Sequence, residues 1–154
     1  MKIYYREKSG GIEILRCFGI EGRVEIPGRI DDKLVISAAP YAFSSHMDEK
    51  EDLKNASLWE VSDGLGFGRE EHVLAGNDVE EIVFPYTLKE IGRYIFYGCG
   101  NLKKLEFSDS LMQIGCGAFT GCHALEKLTV HMEQGKKSGV KEMFSKCIIQ
   151  SLFP

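Results

Sequence analysis

The sequence predicts a short solenoid, and the main reason is an internal repeat of 23 residues. Residues 79–101 match residues 102–124 position by position, with apolar side chains and glycines at equivalent places. A third copy begins at Leu125, again 23 residues further on. Repeats of this length are typical of solenoids, in which each coil buries its apolar side chains against its neighbours.

The first 22 residues predict a β-hairpin. Residues 2–7 and 12–18 alternate apolar with polar side chains, and a turn that contains two glycines separates them. The open end of a solenoid exposes unpaired backbone groups, so a hairpin here would protect it. We therefore assign residues 1–22 to an N-terminal β cap and residues 23–154 to the solenoid.

The solenoid begins with a coil that is longer than the later ones. Val24 to Pro27 resembles the strand that ends at Pro85, and residues 35–46 match the second half of the repeat at 79–101. Residues 47–55 interrupt the pattern. They are charged and rich in helix formers, so they predict an inserted helical turn or a solvated loop.

Two further segments follow the repeat less closely. Residues 56–78 align at twice the period and are interpreted as a degenerate repeat, in which Trp59 takes the place of Leu105. Residues 125–154 are interpreted as a worn C-terminal repeat. Phe144 returns to the aromatic position of the earlier copies two residues late.

The spacing of apolar residues explains why one copy folds. Leu105 and Phe107 are two residues apart, so both point to one side of an extended strand. Gly115 is expected where the backbone turns tightly, and Phe119 is expected to fill the space between the two walls. Burial at roughly 25 cal/mol per Å² of apolar area supplies the main stabilisation.

Composition excludes several classes of function. The net charge of −4 and pI near 5.6 argue against a nucleic-acid partner, which usually requires a basic surface. No apolar run approaches the ~20 residues of a membrane helix, so we predict no membrane insertion. The start lacks a signal-peptide pattern and predicts a cytoplasmic protein as given, or a surface or secreted one if a leader has been removed.

The cysteines and histidines predict neither a metal site nor a catalytic site. Cys99, Cys122, Cys147 and His46 occupy matching places in different coils, so they would form a row and would not converge on one ion. Buried free thiols are the favoured interpretation. Nothing in the sequence brings together a nucleophile, a base and an oxyanion hole, so we predict no enzyme activity and no cofactor.

The two best copies resemble the BspA-like leucine-rich repeats of bacteria, with the pattern Leu-x-x-Ile-x-Ile-Pro-x-x-Leu-x-x-Ile-Gly-x-x-Ala-Phe-x-x-Cys. The resemblance implies an α/β solenoid: a short right-handed leucine-rich-repeat array with a parallel β-sheet on its concave face and the N-terminal hairpin as cap. It also implies a non-enzymatic protein. The best-known members of the family are surface proteins that bind host or matrix proteins.

Strand residues between the apolar positions are predicted to face outward in columns, and these are the candidate binding residues: Glu81, Val83, Lys104, Glu106, Lys127 and Thr129. The leading hypothesis is a module that binds a protein partner through this concave sheet. One alternative is an adhesin fragment for host matrix proteins. Others are a structural unit that self-associates through its C-terminal edge, and a merely solvated face whose charge pairs contribute little.

Overall fold

The computed structural model describes residues 1–62, 70–132, 139 and 142–146. The chain in these ranges forms two β-sheets with an apolar core between them. The strands are β1 (Lys2–Lys8), β2 (Gly11–Gly19), β3 (Arg23–Glu25), β4 (Arg29–Ile30), β5 (Lys33–Ala38), β6 (Ser57–Glu60), β7 (His72–Val73), β8 (Glu81–Val83), β9 (Glu90–Ile91), β10 (Lys104–Ser108), β11 (Gln113–Ile114) and β12 (Lys127–His131).

The first sheet is parallel and has the strand order β12-β10-β8-β3. Leu105 lies opposite Leu128 on one side and opposite Ile82 on the other. Residues 23 apart in sequence are therefore neighbours on adjacent strands, as the repeat predicted. The period of the sequence is thus the period of the coil in this part of the chain.

The second sheet forms the opposite wall. Its strands β5, β9 and β11 are parallel, and Ile91 lies beside Ala38 on one side and Ile114 on the other. Strand β2 continues this sheet by pairing in parallel with β5, and β1 pairs with β2 in antiparallel fashion. The predicted hairpin is therefore present, and it extends the second sheet.

Residues 56–78 do not follow the prediction of a degenerate repeat. Strand β6 pairs antiparallel with β1, so Trp59 lies opposite Ile3 and not in the column of Leu105. In the first sheet, Val24 of β3 lies directly opposite Ile82 of β8. No strand from 56–62 or 70–78 lies between these two strands, and the coil at 79–101 stacks directly on the first coil.

Helix contributes little in the part of the chain that is described. Strand β5 is followed by the helix α1 (Glu49–Asp52), whose N-cap Asp48 accepts a hydrogen bond from the Glu51 amide at 3.4 Å. Gly76–Asp78 forms one 3₁₀ turn, and residues 142–146 are helical. The array is a mostly parallel β-solenoid, and the α/β description implied by the resemblance is not confirmed.

Aromatic rings fill the core between the sheets. Phe84 and Phe107, from neighbouring strands of the first sheet, stack with centroids 4.8 Å apart. Phe96 and Phe119, from successive turns, lie 5.6 Å apart, and Phe144 contacts both Phe107 and Phe119 at 4.9 and 5.6 Å. Phe144 is buried, so it does take up the aromatic position of the repeat despite its late place in sequence.

Candidate functional site

The six predicted binding residues lie in two columns on the side of the first sheet that faces away from the core. We call them the polar sheet face: Glu81, Val83, Lys104, Glu106, Lys127 and Thr129. The strand register places Glu81 beside Lys104 and Lys104 beside Lys127. It also places Val83 beside Glu106 and Glu106 beside Thr129. The apolar residues between them, such as Leu105, point into the core.

Charges on this face are paired at one end and unpaired near the middle. Glu81 forms an ion pair with Arg23 of strand β3 at 3.4 Å, and Glu106 contacts the His131 ring at 2.7 Å. Lys104 and Lys127 are neighbours on strands that lie about 4.8 Å apart. Neither lysine forms an ion pair with any residue that the structure describes. Like charges in register are destabilising, so an anionic group bound here would relieve their repulsion.

The polar sheet face contains a shallow depression of about 130 Å³. Five of the six predicted residues line it, and its floor is formed by Leu105. This volume is smaller than the roughly 300–1,000 Å³ of typical small-molecule sites. A depression of this size suits a protruding side chain of a protein partner better than a whole small ligand.

A second cluster, which the sequence did not predict, lies at the turns that follow β5 and β9. We call it the aromatic depression, and Tyr41, His46, Tyr94 and Tyr97 line it. Tyr41 and Tyr94 occupy the same position of two successive coils. That match was the available signal, but the 53-residue offset between the two tyrosines hides it from a search at the period of 23.

The cysteines show the burial expected of structural thiols where the chain is described. Cys99 is buried and its Sγ donates a hydrogen bond to the Phe43 carbonyl at 3.1 Å, and the half-buried Cys122 makes the same contact with the Phe96 carbonyl at 3.3 Å. Burial raises the pKa of the Cys17, Cys99 and Cys122 thiols to about 12 each. Cys116 is exposed, and Cys147 lies outside the described residues.

Thiol labelling checks this difference. At pH 8 a thiol with a pKa near 12 is only about one part in ten thousand thiolate, and the thiolate is the reactive form. We expect a maleimide to modify Cys116 at least about a hundredfold faster than Cys17 or Cys99 in the folded protein. Mass spectrometry of timed digests gives the rates, with urea-unfolded protein as the control in which all sites react. Equal rates in the folded state would contradict the burial described here.

The described ranges contain no group of three or more His, Cys, Asp or Glu side chains that could hold a metal ion. His46 and Cys99, which match in the repeat, are not equivalent in surroundings, because His46 is exposed and Cys99 is buried. Within the same ranges, no helix is long and apolar enough to cross a bilayer.

Two walls of short parallel strands, repeating every 23 residues around a ladder of phenylalanines, define a leucine-rich-repeat solenoid. A family model for the BspA type leucine-rich repeat region matches residues 70–152 with 6 copies. The chain belongs to this family of BspA-type leucine-rich repeat proteins. The resemblance seen in the sequence is confirmed.

Solved structures agree on the fold. The chain is similar to a leucine rich cell surface protein from Faecalibacterium prausnitzii A2-165, with 19% identity and a TM-score of 0.55 over 84% of this chain. It spans only 30% of that protein's length. A leucine-rich repeat protein from Bacteroides capillosus is similar at 17% identity, with a TM-score of 0.53 over 84% of this chain and 94% of that one. No curated protein matches the chain.

Proposed function

We propose that the protein is a non-enzymatic interaction module that binds a protein partner through the polar sheet face. Leucine-rich-repeat arrays generally serve protein–protein interaction, because stacked coils present an extended rigid surface. The observation that carries the proposal for this face is the register of Glu81, Lys104 and Lys127 on three adjacent strands. Rigid strands hold these charges in a fixed pattern with little entropy to lose on binding.

The chemistry of the face suggests which part of a partner would contact it. Lys104 and Lys127 form a basic pair, and Glu81 on one side is already engaged by Arg23. An acidic side chain of the partner would therefore bind between the two lysines. Val83 and Thr129 add apolar and hydroxyl contacts next to this point, and charged contacts of this kind set both the rate and the specificity of association.

A charge-reversal experiment tests the proposed face. The double variant K104E/K127E reverses the basic pair, and K50E/K54E reverses two exposed lysines at the α1 insertion as the matched control. Each immobilised protein captures partners from a lysate of its native cell, with quantification by mass spectrometry. We expect at least one protein that wild type and control retain to fall by about tenfold or more with K104E/K127E. An identical captured set for all three proteins would overturn the proposed face.

A second candidate function is adhesion to extracellular matrix proteins at a bacterial surface. It is favoured by the fold shared with a cell surface protein of Faecalibacterium prausnitzii. Under this function the chain is a surface or secreted segment of an adhesin. Retention on a fibronectin column that K104E/K127E abolishes and K50E/K54E leaves intact would support it, and passage of the wild type through the column would count against it. Self-association through the C-terminal edge involves residues outside the described ranges and stays a prediction.

A further inference from the structure

Four ring side chains surround the aromatic depression, which has a volume of about 430 Å³. Tyr41 and Tyr94 stack with ring centroids 5.6 Å apart and planes 20° apart. Tyr97 packs edge-on against Tyr94 at 5.8 Å and against His46 at 4.8 Å. The volume falls within the roughly 300–1,000 Å³ of ligand-binding sites. No carboxylate, lysine or arginine lines it, so it provides no counter-charge for an ionic ligand.

The backbone of two of these tyrosines is in an unfavourable conformation. Tyr41 has a φ of 59° and Tyr94 a φ of 52°, in the left-handed region that L-residues with large side chains seldom adopt. Gly117 occupies the same place in the next coil with a φ of 65°, and the Tyr94 ring packs directly over it. The repeat geometry therefore suits glycine at this position. Strained residues of this kind concentrate at binding and catalytic sites.

The polar atoms of the aromatic depression are unused. The hydroxyls of Tyr41, Tyr94 and Tyr97 form no hydrogen bond with any residue in the described ranges, and the same is true of the His46 ring nitrogens. The site thus combines apolar ring faces with several unpaired hydrogen-bond donors. Tyrosine is favoured at interfaces because it supplies both from one rigid side chain.

We propose that the aromatic depression binds a proline-rich segment of another protein in the polyproline II conformation. Pyrrolidine rings would pack against the faces of Tyr41 and Tyr97, as proline-rich segments do in other aromatic-lined grooves. A polyproline II segment has no internal hydrogen bonds, so its carbonyls accept from the tyrosine hydroxyls and from His46. Its backbone carries no charge, which matches the uncharged lining. The preformed helix loses little entropy on binding.

This site is separate from the polar sheet face, because its residues come from the turns after the second sheet and not from strands of the first. The two proposals therefore fail independently. A neutral oligosaccharide could also stack on tyrosine rings. It is less favoured because its hydroxyls are largely donors as well as acceptors, whereas the phenols and imidazole here match a row of carbonyl acceptors.

The experiment is a titration of the full ¹⁵N-labelled chain followed by two-dimensional NMR. The ligands are a blocked decaproline, a blocked Gly-Ser peptide of equal length, and a neutral glucose oligomer. We expect saturable shifts of the Tyr41, Tyr94 and Tyr97 amides with decaproline alone. No saturable shift with decaproline at millimolar concentration would overturn the proposal. So would shifts that the glucose oligomer or the Gly-Ser peptide produces equally well.

A variant that keeps the backbone conformation sharpens the test. Tyr94→Gly removes the ring and installs the residue that Gly117 shows to be accepted here, so the turn is expected to stay folded. It should weaken decaproline binding by at least about tenfold, as loss of an interface aromatic commonly does. Tyr86→Ala removes an exposed tyrosine outside the depression and should leave binding unchanged. Equal affinities for wild type and Tyr94→Gly would overturn the site, and Tyr97→Ala provides a second, independent removal.

Discussion

Replacing Gly92 or Gly115 by alanine is expected to destabilise the fold by about 3 kcal/mol or more at either position. A Cβ atom on Gly92 would lie 2.3 Å from the Pro40 nitrogen, and one on Gly115 would lie 2.2 Å from the Arg93 nitrogen. The obstacle in both cases is the backbone of the preceding coil, which no side-chain rotation can move away. One methyl group would therefore force two coils apart and disturb the packing on both sides.

The matched control is Gly28→Ala, because Gly28 also lies between two strands of the first coil. A Cβ there meets nothing closer than Pro85 at 3.8 Å, and the φ of Gly28 is outside the left-handed region. We expect its effect to stay within about 1 kcal/mol of wild type. Urea denaturation followed by circular dichroism gives the midpoints. If Gly92→Ala and Gly115→Ala have the midpoint of Gly28→Ala, the close approach of the coils is wrong.

These glycines show how the sequence predicted the right residues for an incomplete reason. Their recurrence marked them as special, and the expected cause was a tight turn. Neither has a left-handed φ, and the actual cause is that the chain of one coil lies almost in contact with the next. A repeat reports that a position is constrained, but it does not distinguish a local conformational need from a contact with another coil.

The first sheet was predictable because its register is written in the numbering. Ile82, Leu105 and Leu128 recur every 23 residues, and only side-by-side strands bury all three on one wall. The segment 57–60 was not predictable in the same way. Its alternation suits any strand, and the partner it pairs with, β1, lies more than 50 residues earlier in the chain. A local pattern cannot select between an edge of the hairpin and a place in the array.

The candidate site divides along the same line. The columns of the polar sheet face follow from the period alone, and the strands place them as expected. The aromatic depression depends on Tyr41, which belongs to the irregular first coil, and on His46, which precedes the insertion. The extra residues between the first coil and the next conceal that Tyr41 lies beside Tyr94. Only the strand pairing of β5 with β9 restores the alignment.

Arg16→Met is expected to cost about 3–5 kcal/mol of stability, because it leaves buried acceptors without a donor. Arg16 is 2% exposed, in the middle of strand β2. Its Nη1 donates to the carbonyls of Tyr41, Ala42 and Ser44 at 3.2, 3.2 and 2.6 Å. Its Nε and Nη2 donate to Glu49 at 3.1 and 3.0 Å. Burial lowers the pKa of the guanidinium, and Glu49 partly offsets this effect.

The position of these partners explains why the loss should be large. Arg16 comes from the hairpin, the three carbonyls come from the first turn, and Glu49 belongs to α1. One side chain therefore connects three segments that the repeat itself does not join. Methionine fills much of the volume but donates to none of the carbonyls, so their desolvation cost remains. Glu49 loses less, since it is 41% exposed and can be hydrated.

Arg29→Met is the control, because the exposed Arg29 donates only to the Asp32 carbonyl at 3.0 Å among the bonds described and should cost less than about 1 kcal/mol. Both midpoints are measured in urea, together with the amide shifts of Tyr41 and Ser44. If Arg16 holds the first turn, its loss should shift these amides while the signals of Leu105 and Leu128 in the first sheet stay in place. Equal midpoints for the two variants would mean that the turn is held by its backbone ladder to the next coil, in which the Tyr41 amide donates to the Arg93 carbonyl at 3.2 Å.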